Sequence, residues 1–194
     1  MVLLIDNFDS FSHILADYLR QTGIELEIVR NDVDLEQLTS KSWDGLILSP
    51  GPESPSKAGN LMKILDWYVG KIPILGICLG HQAIGEHFEA QLVKSKKPVH
   101  GKVHSVFQTL QSHKMLKGLP ETFSVTRYHS LEIKNIPECL QILLQTGQGE
   151  IMAMAHKTMP ILGIQYHPEA YLTEFGKEII ENWLSCSKID FRIT

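Results

Sequence analysis

The stretch "PILGICLGHQAIGEHF", residues 73–88, decides how this chain is read. An apolar run rich in branched residues stops at Cys78, and a polar, helix-like run starts directly behind it, with Gly76 and Gly80 on either side. A continuously apolar strand followed at once by a helix is the repeating unit of parallel sheets covered on both faces. Gly-x-Cys-x-Gly at that junction has the form of the strand-to-helix elbow that carries nucleophiles in hydrolases. The small neighbours let strand and helix approach closely, and a helix amino terminus favours negative charge on the group in front of it. A free cysteine is also among the most buried residue types and commonly only packs. From this stretch alone the thiol reads either as a nucleophile or as a small hydrophobe.

Toward the amino terminus, "MVLLID", "ELEIVR" and "DGLILSPG" read as further strands. Between the first two, Ser10 is a fitting N-cap, Phe11, Ile14, Leu15, Tyr18 and Leu19 recur at helical spacing, and Gly23 supplies a stop. "DLEQLT" reads as a short helical turn and "AGNLMKILDWYVG" as a helix. Beyond about residue 90 the texture changes. "VHGKVHSVFQTL", "FSVTRYHSLEI", "LQILLQT" and "EIMAMAH" read as strands joined by short turns, hence as an antiparallel section. "PILGIQYH" restores the buried-strand pattern, and "LTEFGKEIIENWLS" is a closing amphipathic helix. The tail "KIDFRIT" carries no signal for docking or fraying. The expectation is an α/β fold, an open and mostly parallel sheet with helices on both faces plus a smaller antiparallel section, as one domain over residues 1–194.

Bulk composition narrows the partners. With 43% hydrophobic and 21% charged residues in 194, the chain matches an ordinary globular domain. A formal net charge of −4 gives no basic footprint and argues against nucleic acid; Lys94, Lys96 and Lys97 read as a solvated loop. Three cysteines, Cys78, Cys139 and Cys186, with no CxxC pair, fit a reducing compartment rather than a disulfide framework. Asp6 arrives too early for a signal peptide, and no apolar run has bilayer length. The expected location is cytoplasmic, with no membrane partner.

A thiol nucleophile needs a base, and the base an orienting acid. Of nine histidines, His13, His87, His113 and His156 lie in polar or helical contexts and read as surface residues. His100 and His104 would suit a metal on a helix, but Val99, Val103 and Val106 favour strand or loop there. His81 makes a C-x-x-H pair with Cys78 but has no second ligand pair, so no metal site is expected. His167 differs. "GIQYHPEA" sets it just past the last apolar strand, at the sheet edge where Cys78 also belongs, and Glu169 can orient its imidazole. Acyl transfer further needs oxyanion donors. The Leu79 N–H follows the nucleophile, and the "SPGPESP" loop at residues 49–55 can aim more N–H groups at the same crevice.

Together, "DNFDSFSHILADYL", "SPGPESPSKAG", "GICLGHQAI", "HGK", "RYHSL" and "HPEAYLTEFGKEIIENW" resemble the class I (triad) glutamine amidotransferases, with their flavodoxin-like fold, over nearly the whole chain. Within that family the likeness is to glutaminase subunits of anthranilate and aminodeoxychorismate synthases. The resemblance implies a Cys78–His167–Glu169 triad and glutamine contacts at Gly51, Pro52, Glu53, Leu79, Gln82, Ser130 and Leu131. It implies L-glutamine as substrate, no cofactor in this chain, and a separate chorismate-using synthase subunit that requires Mg2+, in the tryptophan or the folate pathway. Two other readings stand beside it: a binding or regulatory module with an impaired site, and a cysteine hydrolase of another small amide. Three features depart from the family pattern. Glu53 replaces a common glycine and brings a carboxylate to the expected oxyanion loop, "FEA" (88–90) replaces Phe-Gly-Gly and should shift a turn, and Ala170 replaces a common serine.

Overall fold

The computed structural model describes residues 1–110 and 113–191. In chain order the elements are β1 (Val2–Asp6), α1 (Ser12–Arg20), β2 (Leu26–Arg30), α2 (Leu35–Thr39), β3 (Gly45–Leu48), α3 (Leu61–Tyr68), β4 (Ile74–Ile77), α4 (Leu79–His87) and β5 (Gln91–Lys94). There follow β6 (Lys102–Gln108), β7 (Thr122–Arg127), β8 (Leu131–Lys134), β9 (Leu140–Thr146), β10 (Ile151–His156), β11 (Ile161–Ile164) and α5 (Gly176–Cys186). A nine-stranded sheet runs in the order β2-β1-β3-β4-β11-β10-β9-β6-β7, and β5 pairs with β8 in a separate small sheet.

The strands β2, β1, β3, β4 and β11 are parallel to their neighbours; from β11 onward every pairing is antiparallel. The α/β architecture read from the sequence is therefore present, and its antiparallel section continues the same sheet. Parallel strands need both faces covered, and alternate residues divide accordingly. Val2, Leu4, Ile47, Leu75, Ile77, Leu162 and Ile164 pack beneath Leu15 and Leu19 of α1 and Ile180, Trp183 and Leu184 of α5. Leu3, Ile5, Leu46, Leu48 and Ile74 face Leu61, Ile64 and Leu65 of α3 and Ala83 and Ile84 of α4. Ile189 in the tail docks on the α1 and α5 face, where a Cβ on Gly45 would lie 2.7 Å from its Cδ1. Residues 192–194 of "KIDFRIT" lie outside the described residues.

Three local readings change. Helix α1 begins at Ser12 with Phe11 at the cap position, not at Ser10; the Asp9 carboxylate accepts the Phe11 N–H at 2.7 Å and so does the work assigned to Ser10. Ile14, expected on the apolar face, is 52% exposed. "FSVTRYHSLEI" is two strands, β7 and β8, in different sheets, and Tyr128–Ser130 form the bend between them. At "FEA" the chain turns with Glu89 at φ 67°, where glycine adapts more readily.

What positions the site is a curl of the sheet. Past β11 the chain leaves its strand and bonds to β7, His167 N–H to Thr126 O at 3.1 Å and Glu174 N–H to Ser124 O at 2.9 Å. The far end of the sheet thereby returns to the carboxyl edge of β4, and the Tyr128–Leu131 bend arrives over Cys78. No helix among the described residues is long and apolar enough to cross a membrane.

Candidate active site

Cys78 stands at the corner between β4 and α4 with φ 51° and ψ −99°, outside the conformations that L-residues adopt without strain. Two glycines hold it there. A Cβ on Gly76 would sit 2.4 Å from the Gly80 carbonyl carbon, and a Cβ on Gly80 would sit 2.4 Å from Leu48 O, so helix and strands touch backbone to backbone. The Cys78 N–H bonds to Ile164 O at 2.7 Å, which fixes the corner to β11. Behind it, the first N–H groups of α4 have no intrahelical acceptor, Leu79 first among them.

His167 and Glu169 lie on the segment that follows β11. His167 Nδ1 and Glu169 Oε1 are 2.8 Å apart, and both side chains are almost fully buried. Thr173 Oγ1 donates to His167 O at 2.8 Å and accepts the Thr126 N–H at 3.0 Å, so the histidine backbone is clamped. The rings of Phe11 and Tyr128 contact the imidazole edge-on, with centroids at 5.3 and 5.1 Å. Burial alone would push this imidazole down. The interactions with Cys78 and Glu169 outweigh it and hold the pKa near 10. Nε2 has no well-aligned hydrogen bond, so the thiol acts on it by proximity, the loose contact common in unliganded catalytic pairs.

The third wall is the loop after β3. Asn7 N–H donates to Ser49 Oγ and Asn7 Nδ2 to Ser49 O, both at 2.9 Å, and Asn31 Nδ2 donates to Asn7 Oδ1 at 2.9 Å. Gly51 is pressed between Leu79 and Asn7; a Cβ there would lie 2.5 and 2.6 Å from their side chains. Glu53 takes a left-handed φ of 62°. Its side chain is 62% exposed and turns toward Lys57 at 3.8 Å. The carboxylate expected beside the oxyanion donors thus points out to solvent, and only its backbone stays at the cleft.

Gly51, Pro52, Glu53, Cys78, Gln82 and the bend from Tyr128 to Leu131 enclose a cleft of about 150 Å³. Gln82 is buried, and its Nε2 donates to Leu131 O at 3.3 Å and to Gln165 Oε1 at 3.2 Å. With both amide hydrogens used, Oε1 is what Gln82 can offer a ligand, as an acceptor. Leu131 O also takes the His129 Nδ1 hydrogen at 2.8 Å. With both lone pairs engaged, that carbonyl is not free for substrate. Ser130 is exposed at the rim.

His129, Arg127 and Glu150 were not singled out from the sequence. Arg127, 1% exposed, holds Glu150 through two bonds of 2.7 Å and donates from Nε to His129 Nε2 at 3.0 Å. Burial, then the Arg127 charge, push the His129 imidazole down to about 4. It is neutral, with its proton on Nδ1. An arginine closing the apolar run "FSVTR" was the signal available. His81 is fully buried against Gly163, and burial pushes it down to about 3. Of the histidines expected at the surface, His13 is exposed and His87, His113 and His156 are half-buried.

A nucleophile held in a strained corner, an imidazole oriented by a buried carboxylate, and backbone N–H groups around a small polar cleft suit acyl transfer from a small amide. Comparison with known proteins agrees. The family model for class-I glutamine amidotransferases matches residues 3–186. Anthranilate synthase component 2 of Azospirillum brasilense is 43% identical over 192 residues, covering 97% of each chain. Aminodeoxychorismate/anthranilate synthase component 2 of Bacillus subtilis is 41% identical, covering 95% of each. Among solved structures, a Thermoplasma acidophilum protein described as part of a GMP synthase superposes with a TM-score of 0.85 at 32% identity, covering 96% of this chain and 93% of that one. The chain belongs to the class-I glutamine amidotransferases.

Proposed function

We propose that the chain hydrolyses L-glutamine through a Cys78 thioester and passes the ammonia to a chorismate-using synthase on a separate subunit. The observation that carries this reading is the strained Cys78 corner at the wall of one small cleft, with the imidazole of the buried His167–Glu169 pair beside its thiol. The Cys78 sulfur attacks the side-chain amide carbon, and the oxygen left negative is met by the N–H of Leu79 and by the 51–53 loop. His167, its pKa held high by Cys78 and Glu169, gives its Nε2 proton to the amide nitrogen as the C–N bond breaks and ammonia leaves. Water then attacks the glutamyl thioester while Nε2 takes its proton, glutamate departs and the sulfur is restored. Glu169 positions the imidazole and stabilises its charge. Gln82 Oε1 is the acceptor for the substrate's ammonium, and Ser130 and Leu131 close the cleft around it.

The partner assignment is supported by the two component 2 relatives and by the surface around the cleft. Phe8, Tyr171 and Leu172, 52%, 99% and 58% exposed, follow β1 and β11 at the edge that carries Cys78. Glutamine hydrolysed without an acceptor is wasted, so a synthase docked on these residues should raise turnover by at least about tenfold, roughly 1.4 kcal/mol of coupling. The synthase brings its own Mg2+ requirement; this chain needs no cofactor for the steps above. The test is Cys78→Ser in complex with either synthase. Glutamine-dependent product should vanish while product from added ammonium salt persists. Glutamine-dependent turnover surviving in Cys78→Ala defeats the assignment, and loss of both activities together would show a structural role instead.

A further inference from the structure

Behind the wall formed by Arg127 lies a second cavity, of about 400 Å³, which none of the chemistry above uses. Lys96, Lys97, Lys134, Arg127, Glu132 and Glu150 contribute its charges. Two of its ion pairs are internal: Arg127 and Glu150 saturate one another, and Lys134 Nζ lies 3.0 Å from Glu132 Oε1. The remaining groups are unmatched. Lys96 and Lys97 are exposed, with no carboxylate in salt-bridge range among the described residues. Glu132 is 2% exposed, and its second oxygen, Oε2, is buried without a hydrogen-bond partner. A buried acceptor with no donor bears its full desolvation cost, and a charged one more so.

The cavity is therefore lined by a glutamate whose second oxygen is buried without a donor and by two ammonium groups that attract an anion. An inorganic anion would satisfy the lysines and leave Glu132 facing like charge. A simple amine would satisfy Glu132 and leave Lys96 and Lys97 without an anion. A ligand carrying both charges a short distance apart satisfies both ends. We propose that this cavity binds a small free amino acid as its zwitterion, ammonium on Glu132 Oε2 and carboxylate at Lys96 and Lys97. The loop containing these lysines, expected from the sequence to be merely solvated, is then one side of a site whose other side is the buried middle of β8.

The site is joined to the cleft. Arg127 forms the inner wall of the cavity, its Nε donates to His129 Nε2 at 3.0 Å, and His129 lines the cleft beside Cys78. A ligand that shifts charge next to Arg127 changes the field on His129 through one hydrogen bond, a contiguous physical link. Binding itself does not depend on what Cys78 does.

The experiment is titration calorimetry of the whole chain, alkylated at Cys78 with iodoacetamide to fill the cleft, against each standard amino acid. At least one should saturate a single site with a Kd of about 1 mM or tighter. Its affinity should fall by about tenfold or more in Glu132→Gln and in the Lys96→Ala/Lys97→Ala pair, with circular dichroism showing both folded. The matching carboxylic acid without the amine should bind at least about tenfold more weakly. Histidine-labelled protein should show the His129 ring signal moving with the same saturation. No saturable amino acid, binding that survives both variants, or equal binding of the amine-free acid overturns the site. Saturation with a stationary His129 signal overturns the link to the cleft.

Discussion

At most positions, replacing alanine by glycine destabilises a folded chain by about 0.5–1 kcal/mol, because the more flexible residue loses more freedom on folding. At residue 78 the sign should reverse. With φ 51° and ψ −99°, Cys78 sits in a region where any residue with a Cβ is strained by about 1–3 kcal/mol. The corner cannot relax, since Gly76, Gly80 and Leu48 are in backbone contact around it. Both Cys78→Ala and Cys78→Gly remove the thiol and its packing, so their difference isolates strain against flexibility. Subtracting the glycine cost leaves Cys78→Gly more stable than Cys78→Ala by about 1 kcal/mol. That is about 2–4 °C in Tm for a chain of this length. Urea unfolding of both proteins at equal m-value gives the number directly. Cys78→Ala equal to or more stable than Cys78→Gly would show that the corner is unstrained, and the argument that it holds the thiol up at a cost in stability would fail.

Other perturbations test neighbouring steps. His167→Asn should cost more turnover than Glu169→Gln, since the base acts in every proton transfer and the carboxylate only orients it; a greater loss in His81→Asn would make His81 on α4 the base instead. The high pKa of His167 belongs partly to Cys78, so Cys78→Ala should lower it, as read by the imidazole NMR signal, and an unchanged value would assign the whole shift to Glu169. Because the folded pKa of about 10 lies above the ordinary 6.5, this contribution to stability is complete below about pH 6.5 and is lost as pH rises through 10. Glu89→Gly should stabilise by about 0.5–1 kcal/mol, the left-handed penalty less the glycine cost, and denaturant midpoints that fail to rise would show that the Glu89 turn is not strained.

The parallel half of the sheet was legible because strands buried on both faces are continuously apolar, and "MVLLID" and "PILGIC" show that without interruption. The elbow was legible because only glycines permit the approach at residues 76 and 80. The bend at Tyr128–Ser130 was not. Its flanks, "FSVTR" and "LEIK", both have strand composition, and nothing local says that they join different sheets. For the same reason the pairing of Arg127 with Glu150, 23 residues on, is invisible: strand order and register create it. Strand β5 escaped because its side chains are only half covered, so no apolar alternation marks it. The Glu53 carboxylate was placed by sequence beside the oxyanion donors, and a left-handed backbone turns it outward instead.

The two sides of the proposed oxyanion site are held by different means. On the Leu79 side the peptide is fixed by close backbone contacts at Gly76 and Gly80, and no side-chain rearrangement can release it. On the loop side Gly51 is confined between Asn7 and Leu79, but two residues later Glu53 is strained and restrained by an exposed ion pair of 3.8 Å. Such a pair is worth well under about 1 kcal/mol, less than the left-handed penalty of about 1–2 kcal/mol that it opposes. The rigid side therefore sets where the substrate's carbonyl oxygen must go, and the yielding side sets whether a second donor meets it there. Phe8 borders the same loop through the hollow that it lines with Pro52 and Glu53. A partner whose contact with Phe8 pressed on the yielding half would change turnover from a distance, leaving the thiol where the rigid half holds it.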